Sequence, residues 1–483
     1  MDIRERTIKG FFWTGGGKAT ELGITWIISI VLARLLSPAD YGLMAITSIF
    51  IYFINYFNEL SIGHAIIQKE DIDEAYLSSA FWFILTMSMV SYGFIYILSD
   101  TIASFFNQEK LSSILKIAGL SFIVMAVGVV PSSLIYRELK FYTTARVNFV
   151  SNICMGVVSL ILAYRGFGVW SLVLGSIAKS LSFSVLYFFS CSWKPRLMIS
   201  FNKIKHLMKF GVPLTAAKSL HTLYYNADNL IVGKFLGEKL LGYYYMAFHL
   251  ATMPIDKLSR IINEVNFPVL SKLQNSDDKA RNHFLQTSKY VSIIIFPSLT
   301  GLLIIADDFV NVILGEKWTP MIYPFKLFCF IGMLRTISSI IPPLLNSKSR
   351  TDLTLKYSAI SAILLPAGFL IGVQFGINGV AYAWLIIYPF LTLYILRLGL
   401  KEIKLTFVEY IKNLAPSIKA SAFLVVVVMF FQSTGIDNQI LRLLGSILVG
   451  FVGCLMFITL MHKEILKETR SIIYSFKTRR AKG

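Results

Sequence analysis

Charge is scarce in this chain of 483 residues: Asp, Glu, Lys and Arg make up 15% of it, against 55% hydrophobic residues. A soluble protein of this length carries about 25% charged residues, so an ordinary water-soluble enzyme is excluded at the outset. Cysteine is scarce too. The four, Cys154, Cys191, Cys329 and Cys454, show no CxxC spacing and fall in or beside apolar stretches, which indicates neither a disulfide framework nor a metal site. Long polar connections are missing, and with them any soluble domain large enough to host a separate activity. The formal charge of +19 is spread over short connections with no compact basic domain, which argues against nucleic acid as a partner.

What the chain does contain is apolar sequence in runs of roughly 20 residues, each long enough to cross a hydrocarbon core as a helix. Backbone groups in lipid must be satisfied within helices or closed barrels, and the runs are continuous instead of alternating, so helices are selected. Spans are predicted at 11–35, 42–67, 77–98, 114–135, 147–164, 169–190, 208–235, 243–267, 285–305, 321–345, 353–373, 379–398, 417–433 and 440–461. The expected fold is all-α, a polytopic membrane protein with about fourteen transmembrane helices. Arg4, Arg6 and Lys9 precede the first run, but Lys18 and Glu21 lie inside it and no small-residue cleavage pattern follows. It reads as a retained helix, not a signal peptide.

Orientation follows from lysine and arginine in alternate connections. One set holds Arg4, Arg6, Lys9, Arg137, Lys140, Arg146, Lys194, Arg196, Lys203, Lys205, Lys209, Lys272, Lys279, Arg281, Lys348, Arg350, Lys401, Lys404 and the tail from Lys463 to Lys482. The alternate set offers Lys110, Arg165, Lys239 and Lys317. Both termini are therefore expected in the cytoplasm, with 99–113 and 306–320 as short outer loops. The acidic loop KEDIDEA (69–75) is a mild exception.

The first and seventh spans superpose at a constant shift of 200 positions. Lys9 falls on Lys209, Lys18 on Lys218, Arg34 on Lys234, Leu36 on Leu236 and Gly42 on Gly242. The matches are sparse, but they coincide with a halving of the first twelve spans into six and six, a parallel repeat known among transporters. The expected organisation is an N-terminal lobe over 1–206, a C-terminal lobe over 207–400, and two further helices with a basic tail over 401–483.

Ionisable residues inside spans carry the functional signal, because each costs about 2.5–3.5 kcal/mol at the bilayer centre. Lys179 sits near the middle of the sixth span. The first span sets Lys18, Glu21, Thr25 and Ser29 on one helical face, and the seventh repeats the device with Lys218, His221, Tyr225 and Asn229, beside Asp228. The eighth shows His249, Asp256, Arg260 and Asn263 along one stripe, and the tenth holds Arg335 near its centre. Polar-faced helices in corresponding positions of two halves point to a central cavity. Blander roles stay open. Lys18–Glu21 and Asp256–Arg260 also fit ion pairs within one helix, and His221 and His249 fit hydrogen-bonded packing better than metal ligation. Lys179, Lys218 and Arg335 favour a wet cavity. Tyr243 to Tyr245 read as an interfacial belt.

KGFFWTGGGKATELGITWIISIVLARLLSPADYGLMAI (9–46), and ARLLSPADYG (33–42) within it, resemble the start of Wzx-type polysaccharide flippases of the multidrug/oligosaccharidyl-lipid/polysaccharide exporter superfamily. AIIQKED (65–71) and VNFPVLSKLQ (265–274) are similar to further segments of that family. The resemblance implies two six-helix lobes around a cavity that opens alternately to each side. It implies transfer of an undecaprenyl-pyrophosphate-linked oligosaccharide across a bacterial cytoplasmic membrane, for lipopolysaccharide or exopolysaccharide synthesis. The colanic-acid and teichuronic-acid branches look closest, which suggests an acidic repeat unit. Membrane lipids, a polysaccharide polymerase and glycosyltransferases are the implied associates. No cofactor or metal is implied, and a proton or sodium gradient is the candidate drive. A family-style cavity would place Lys18, Lys179, Lys218 and Arg335 near the pyrophosphate, which they would neutralise through charge-assisted hydrogen bonds. A drug or cation antiporter of the same superfamily would instead use a carboxylate, with Glu21, Asp228 and Asp256 as candidates. A membrane polymerase or ligase is a third reading, but no outer loop holds an acid–base constellation beyond Asp307 and Asp308.

Overall fold

The computed structural model describes residues 23–59, 62–69, 71–205, 225–274 and 276–461, with Met208 and Thr215 as isolated positions. The described residues are mostly helical, with no strand among them. The helices are α1 (Gly23–Leu35), α2 (Pro38–Glu59), α3 (Ile62–Gln68), α4 (Glu74–Phe106), α5 (Glu109–Ala118), α6 (Leu120–Arg137), α7 (Phe141–Tyr164) and α8 (Val169–Ser190). They continue as α9 (Ala227–Lys272), α10 (Asp277–Ile304), α11 (Ile322–Ser339), α12 (Ile341–Ser347), α13 (Thr351–Gly372), α14 (Gly376–Glu402), α15 (Phe407–Gln432) and α16 (Gln439–Met461). Among the described residues nine helical stretches are long and apolar enough to span a bilayer. The chain is a multi-pass α-helical membrane protein.

The ends of these helices follow from local chemistry. α2 opens on Ser37-Pro38-Ala39-Asp40, where the Asp40 carboxylate accepts from the Ser37 N–H at 2.8 Å and the Ser37 hydroxyl at 2.7 Å. That is a capping box with proline preset in the first turn. α4 runs two turns past the predicted end at 98 and stops at Asn107, whose left-handed φ of 55° closes the helix. The expected outer loop 99–113 is therefore mostly helix. Its polar residues are not a loop signal, because Asp100 is paired with Ser112 and Lys116 on α5. Likewise 306–320 forms short helical turns instead of an open loop, with Asp307 bound to Lys326 at 2.6 Å and Asp308 to Arg442 of α16 at 2.5 Å.

The chain divides into two compact units at Gly242/Tyr243. In unit 1, α3, α4 and α6 share a core of Ile62, Ile66, Tyr76, Phe81, Ile84 and Val130. The segment after α8 is stitched onto the start of α4: Trp82 Nε1 donates to the Arg196 carbonyl at 2.8 Å, and the Ser200 N–H to the Ser79 hydroxyl at 2.9 Å. In unit 2, Leu270, Phe284, Ile341, Leu344, Leu396 and Tyr410 pack into a second core. Tyr410 ties α15 to α10 through Ser288 at 2.8 Å, and Ser417 meets Ser292 at the same distance. Helix α15 is thereby part of the packed unit.

α9 breaks at Gly237, whose φ of 79° only glycine adopts without strain. The arm before Gly242 belongs to unit 1 and crosses the start of α2 there. A Cβ on Gly42 would overlap the Glu238 carbonyl, and one on Gly242 would overlap the Pro38 carbonyl. The two contacts are related by the 200-residue shift, 38 to 238 and 42 to 242. Gly42 thus has a physical role: small residues let two backbones touch where lipid offers no driving force for association.

Candidate functional site

Lys179 lies midway along α8, ten residues after Val169 and eleven before Ser190. At 1.5 Å per residue it is roughly 15 Å from either end, too far for a lysine to snorkel. Its side chain is exposed on unit 1. Ser176 and Ser180 beside it turn their hydroxyls back onto the carbonyls of Val173 and Ser176. On the first turn of α9, Asp228 is fully buried and accepts from the Asn229 N–H at 2.8 Å, with Tyr225 half-buried nearby in sequence.

Arg335 occupies a different environment. It is buried on α11, with its guanidinium carbon 5.1 Å from the centre of the Phe248 ring. Phe248 packs edge-on to Phe328 at 5.1 Å and tilted against Trp384 at 5.7 Å. Trp384 Nε1 donates to the Tyr244 hydroxyl at 3.0 Å, and Ser338 bonds the Tyr388 hydroxyl at 2.7 Å. A cation over a desolvated aromatic face gains about 2 kcal/mol, which offsets much of its insertion cost. Tyr243 and Tyr244, expected in an interfacial belt, are instead buried, Tyr243 against Trp318. Their length suits a belt, but the aromatic core of unit 2 takes them. His249 is exposed and stacks on Tyr245, four residues before it.

Among the candidate site residues, Tyr225, two residues before α9, and Asp228 on its first turn are near in sequence and Lys179 stands in the same unit, while Arg335 belongs to unit 2. Lys18, Glu21, Lys218 and His221 lie outside the described residues, as do the side chains of Asp256 and Arg260 on α9. Among the described residues there is no cluster of three or more His, Cys, Asp or Glu able to hold a metal.

The ends of the units that carry the basic connections hold a second arrangement, which the sequence showed only as loop charge. In unit 1, Lys203 pairs with Asp73, and Arg196 with Glu74 at 2.6 Å. These pairs account for two carboxylates of the acidic loop 69–75, Asp73 and Glu74, which are met by the basic segment 194–203. Asp73 also caps α4 by accepting from the Tyr76 N–H at 2.8 Å. Its carboxyl is held below the usual value by the Lys203 ammonium and this N–H. Arg137 donates to the carbonyls of Ile66 and Lys69 at 3.0 and 2.6 Å, and the Lys69 ammonium lies 4.2 Å above the Tyr76 ring. Around these groups lies a cleft of about 570 Å³. In unit 2, Asp277 sits between Lys348 at 2.8 Å and Lys404 at 3.0 Å. Arg350 reaches Glu402 at 2.5 Å, and Arg281 reaches Glu409 at 2.5 Å.

The described residues thus form a multi-pass helical membrane fold with Lys179 and Arg335 inside apolar helices. The solved structure of the lipid II flippase MurJ, in an inward closed conformation, superposes over 93% of this chain and 99% of its own with a TM-score of 0.75, at 16% identity. The family described as "Polysaccharide biosynthesis protein" matches residues 31–323, and the chain belongs to it. The lipopolysaccharide biosynthesis protein WzxC of Escherichia coli (strain K12) is 28% identical over 390 residues, 80% of this chain and 79% of that protein. The teichuronic acid biosynthesis protein TuaB of Bacillus subtilis (strain 168) is 25% identical over 320 residues, 66% of each chain.

Proposed function

We propose that this chain is a polysaccharide flippase. It carries undecaprenyl-pyrophosphate-linked oligosaccharide repeat units from the inner to the outer leaflet of a bacterial cytoplasmic membrane, both of its termini lying in the cytoplasm. The observation that carries this reading is membership of the polysaccharide biosynthesis family over residues 31–323, joined to a fold shared with a lipid flippase. The mid-span cations give it a mechanism. A pyrophosphate crossing apolar surroundings needs charge compensation, and lysine and arginine supply it through charge-assisted hydrogen bonds. Lys179 is exposed midway along its helix and Arg335 is buried over the Phe248 ring. Lys18 and Lys218 are the further cations proposed to meet the substrate, with Glu21, His221, Tyr225, Asp228, Asp256 and Arg260 as proposed polar contacts. Movement between leaflets breaks no covalent bond, so the protein needs no catalytic residue. A proton or sodium gradient is the proposed drive, and the polymerase and glycosyltransferases of the same polysaccharide are the proposed associates.

A cation antiporter of the same superfamily would place a carboxylate in its path. The excess of lysine and arginine in these spans repels a cationic drug and favours the anionic substrate. Deletion of the gene in its host is expected to abolish surface polysaccharide while lipid-linked repeat units accumulate facing the cytoplasm, and a plasmid copy restores export. Unchanged polysaccharide together with new sensitivity to cationic drugs would reverse the assignment.

A further inference from the structure

The cleft at the basic end of unit 1 is built unlike a chance gap between loops. Lys69, Arg137 and Lys203 line it together with apolar Ile72, Leu77 and Leu134. The three cations are half-buried, whereas its three carboxylates, Asp71, Asp73 and Glu138, are exposed. Two of those carboxylates are already engaged, Asp73 with Lys203 and the α4 N-terminus, Glu138 with Lys140 at 2.5 Å. Lys69 is steadied by the neutral face of Tyr76. Positive charge therefore lies deeper than negative, beside apolar walls, in a volume within the range of ligand pockets.

Unit 2 shows what such a junction accepts. At the corresponding place, where the start of α10, the α12–α13 turn and the end of α14 meet, Lys348 and Lys404 close on the chain's own carboxylate, Asp277. In unit 1 the start of α4, the α6–α7 turn and the segment after α8 meet in the same order, Asp73 holds one lysine, Lys203, and a cleft remains beside the pair.

We infer that this cleft binds the phosphate headgroup of a lipid in the cytoplasmic leaflet, Lys69 and Arg137 meeting the phosphate, Lys203 shared between it and Asp73, and Ile72, Leu77 and Leu134 meeting the first carbons of the tail. Basic pockets between membrane helices on the cytoplasmic side recognise anionic headgroups in this way. The site is separate from the mid-span cations. It rests on the proposed orientation but not on transport.

The test uses the purified full-length protein in detergent, with native mass spectrometry counting bound phosphatidylglycerol, undecaprenyl pyrophosphate and inorganic pyrophosphate. One lipid phosphate should be retained more tightly than the rest. Lys69→Gln with Lys203→Gln should weaken it by about tenfold or more, the size expected from losing charged hydrogen bonds. Ile72→Trp keeps every charge and fills the cleft, so it should weaken binding comparably even if the charge variant unfolds. The charge-matched pair Lys272→Gln with Lys401→Gln should change it by less than about twofold. Tighter retention of phosphatidylglycerol identifies a resident phospholipid, and tighter retention of undecaprenyl pyrophosphate identifies a landing point for the substrate's head. Either result upholds the site. Equal weakening by the cleft and control pairs overturns it, and so does inorganic pyrophosphate binding as tightly as either lipid. Binding is read without transport, so its failure leaves the flippase assignment standing.

Discussion

In unit 1, Asp73 holds one lysine and a cleft remains beside it. In unit 2, Asp277 holds two lysines, and Lys348 is only 11% exposed beneath its loop. The mid-span cations differ in the same sense. Lys179 of unit 1 is exposed on its helix, whereas Arg335 of unit 2 is buried against Phe248. Both units meet charges with their own carboxylates and rings; what differs is depth, since Lys179 lies exposed on its helix and Arg335 is buried. A repeated sequence need not yield two copies of one site: the second unit can bury its cation where the first leaves one exposed.

The largest effect expected from testing this likeness lies where the repeats are most alike. Gly42→Ala and Gly242→Ala should each lower thermal stability by an equivalent of about 1–3 kcal/mol, the usual size of overpacking, because each Cβ meets a backbone carbonyl. Gly23→Ala, with open space around it, should be neutral or stabilising by up to about 1 kcal/mol. Thermal unfolding in detergent decides the matter, and a loss confined to one of the glycine pair would break the two-fold relation.

The next effect sharpens the difference between the units. Lys179→Gln should insert and unfold like the wild type while export falls by about tenfold or more. Arg335→Gln should lose export and also stability, by about 2 kcal/mol, since it gives up the cation–π contact. Equal stability of the two variants would remove the distinction between an exposed cation and one buried over a ring.

Smallest is the pH response of the two clasps. Asp73 is held below its ordinary 3.8 by Lys203. Its contribution is full above about 3.8 and is lost as pH falls through the lowered value. Lys404 is held above 10.5 by Asp277, so its contribution is full below about 10.5 and is lost as pH rises through the raised value. Between about pH 5 and 9 these two clasps should contribute no change in stability. Asp73→Asn should blunt the acid limb alone, and Lys404→Gln the alkaline limb together with the part of the acid limb that Asp277 supplies through Lys404, read from unfolding temperature against pH.

Helix positions were legible because a run of apolar residues is a one-dimensional signal. The sixth span, predicted at 169–190, is α8 to the residue. The end of α4 was not, because Ser99 and Asp100 read as loop until Ser112 and Lys116 are placed opposite them. The mid-span cations were visible as costly residues, but nothing in the spacing of Arg335 reveals that Phe248, 87 positions earlier, faces it. The clasps were the least legible. Lys69, Arg137 and Lys203 come from three connections, and each alone is an ordinary positive-inside charge.

The central claim is that this protein moves an anionic lipid-linked sugar along a cationic path. The most direct measurement reconstitutes it in liposomes containing a fluorescent undecaprenyl-pyrophosphate-linked oligosaccharide and follows quenching by a membrane-impermeant reagent. The wild type should expose the inner-leaflet pool that protein-free liposomes keep hidden, and the Lys179→Gln, Lys218→Gln, Arg335→Gln triple variant, inserted at equal density, should not. Equal transfer by the triple variant would contradict the account.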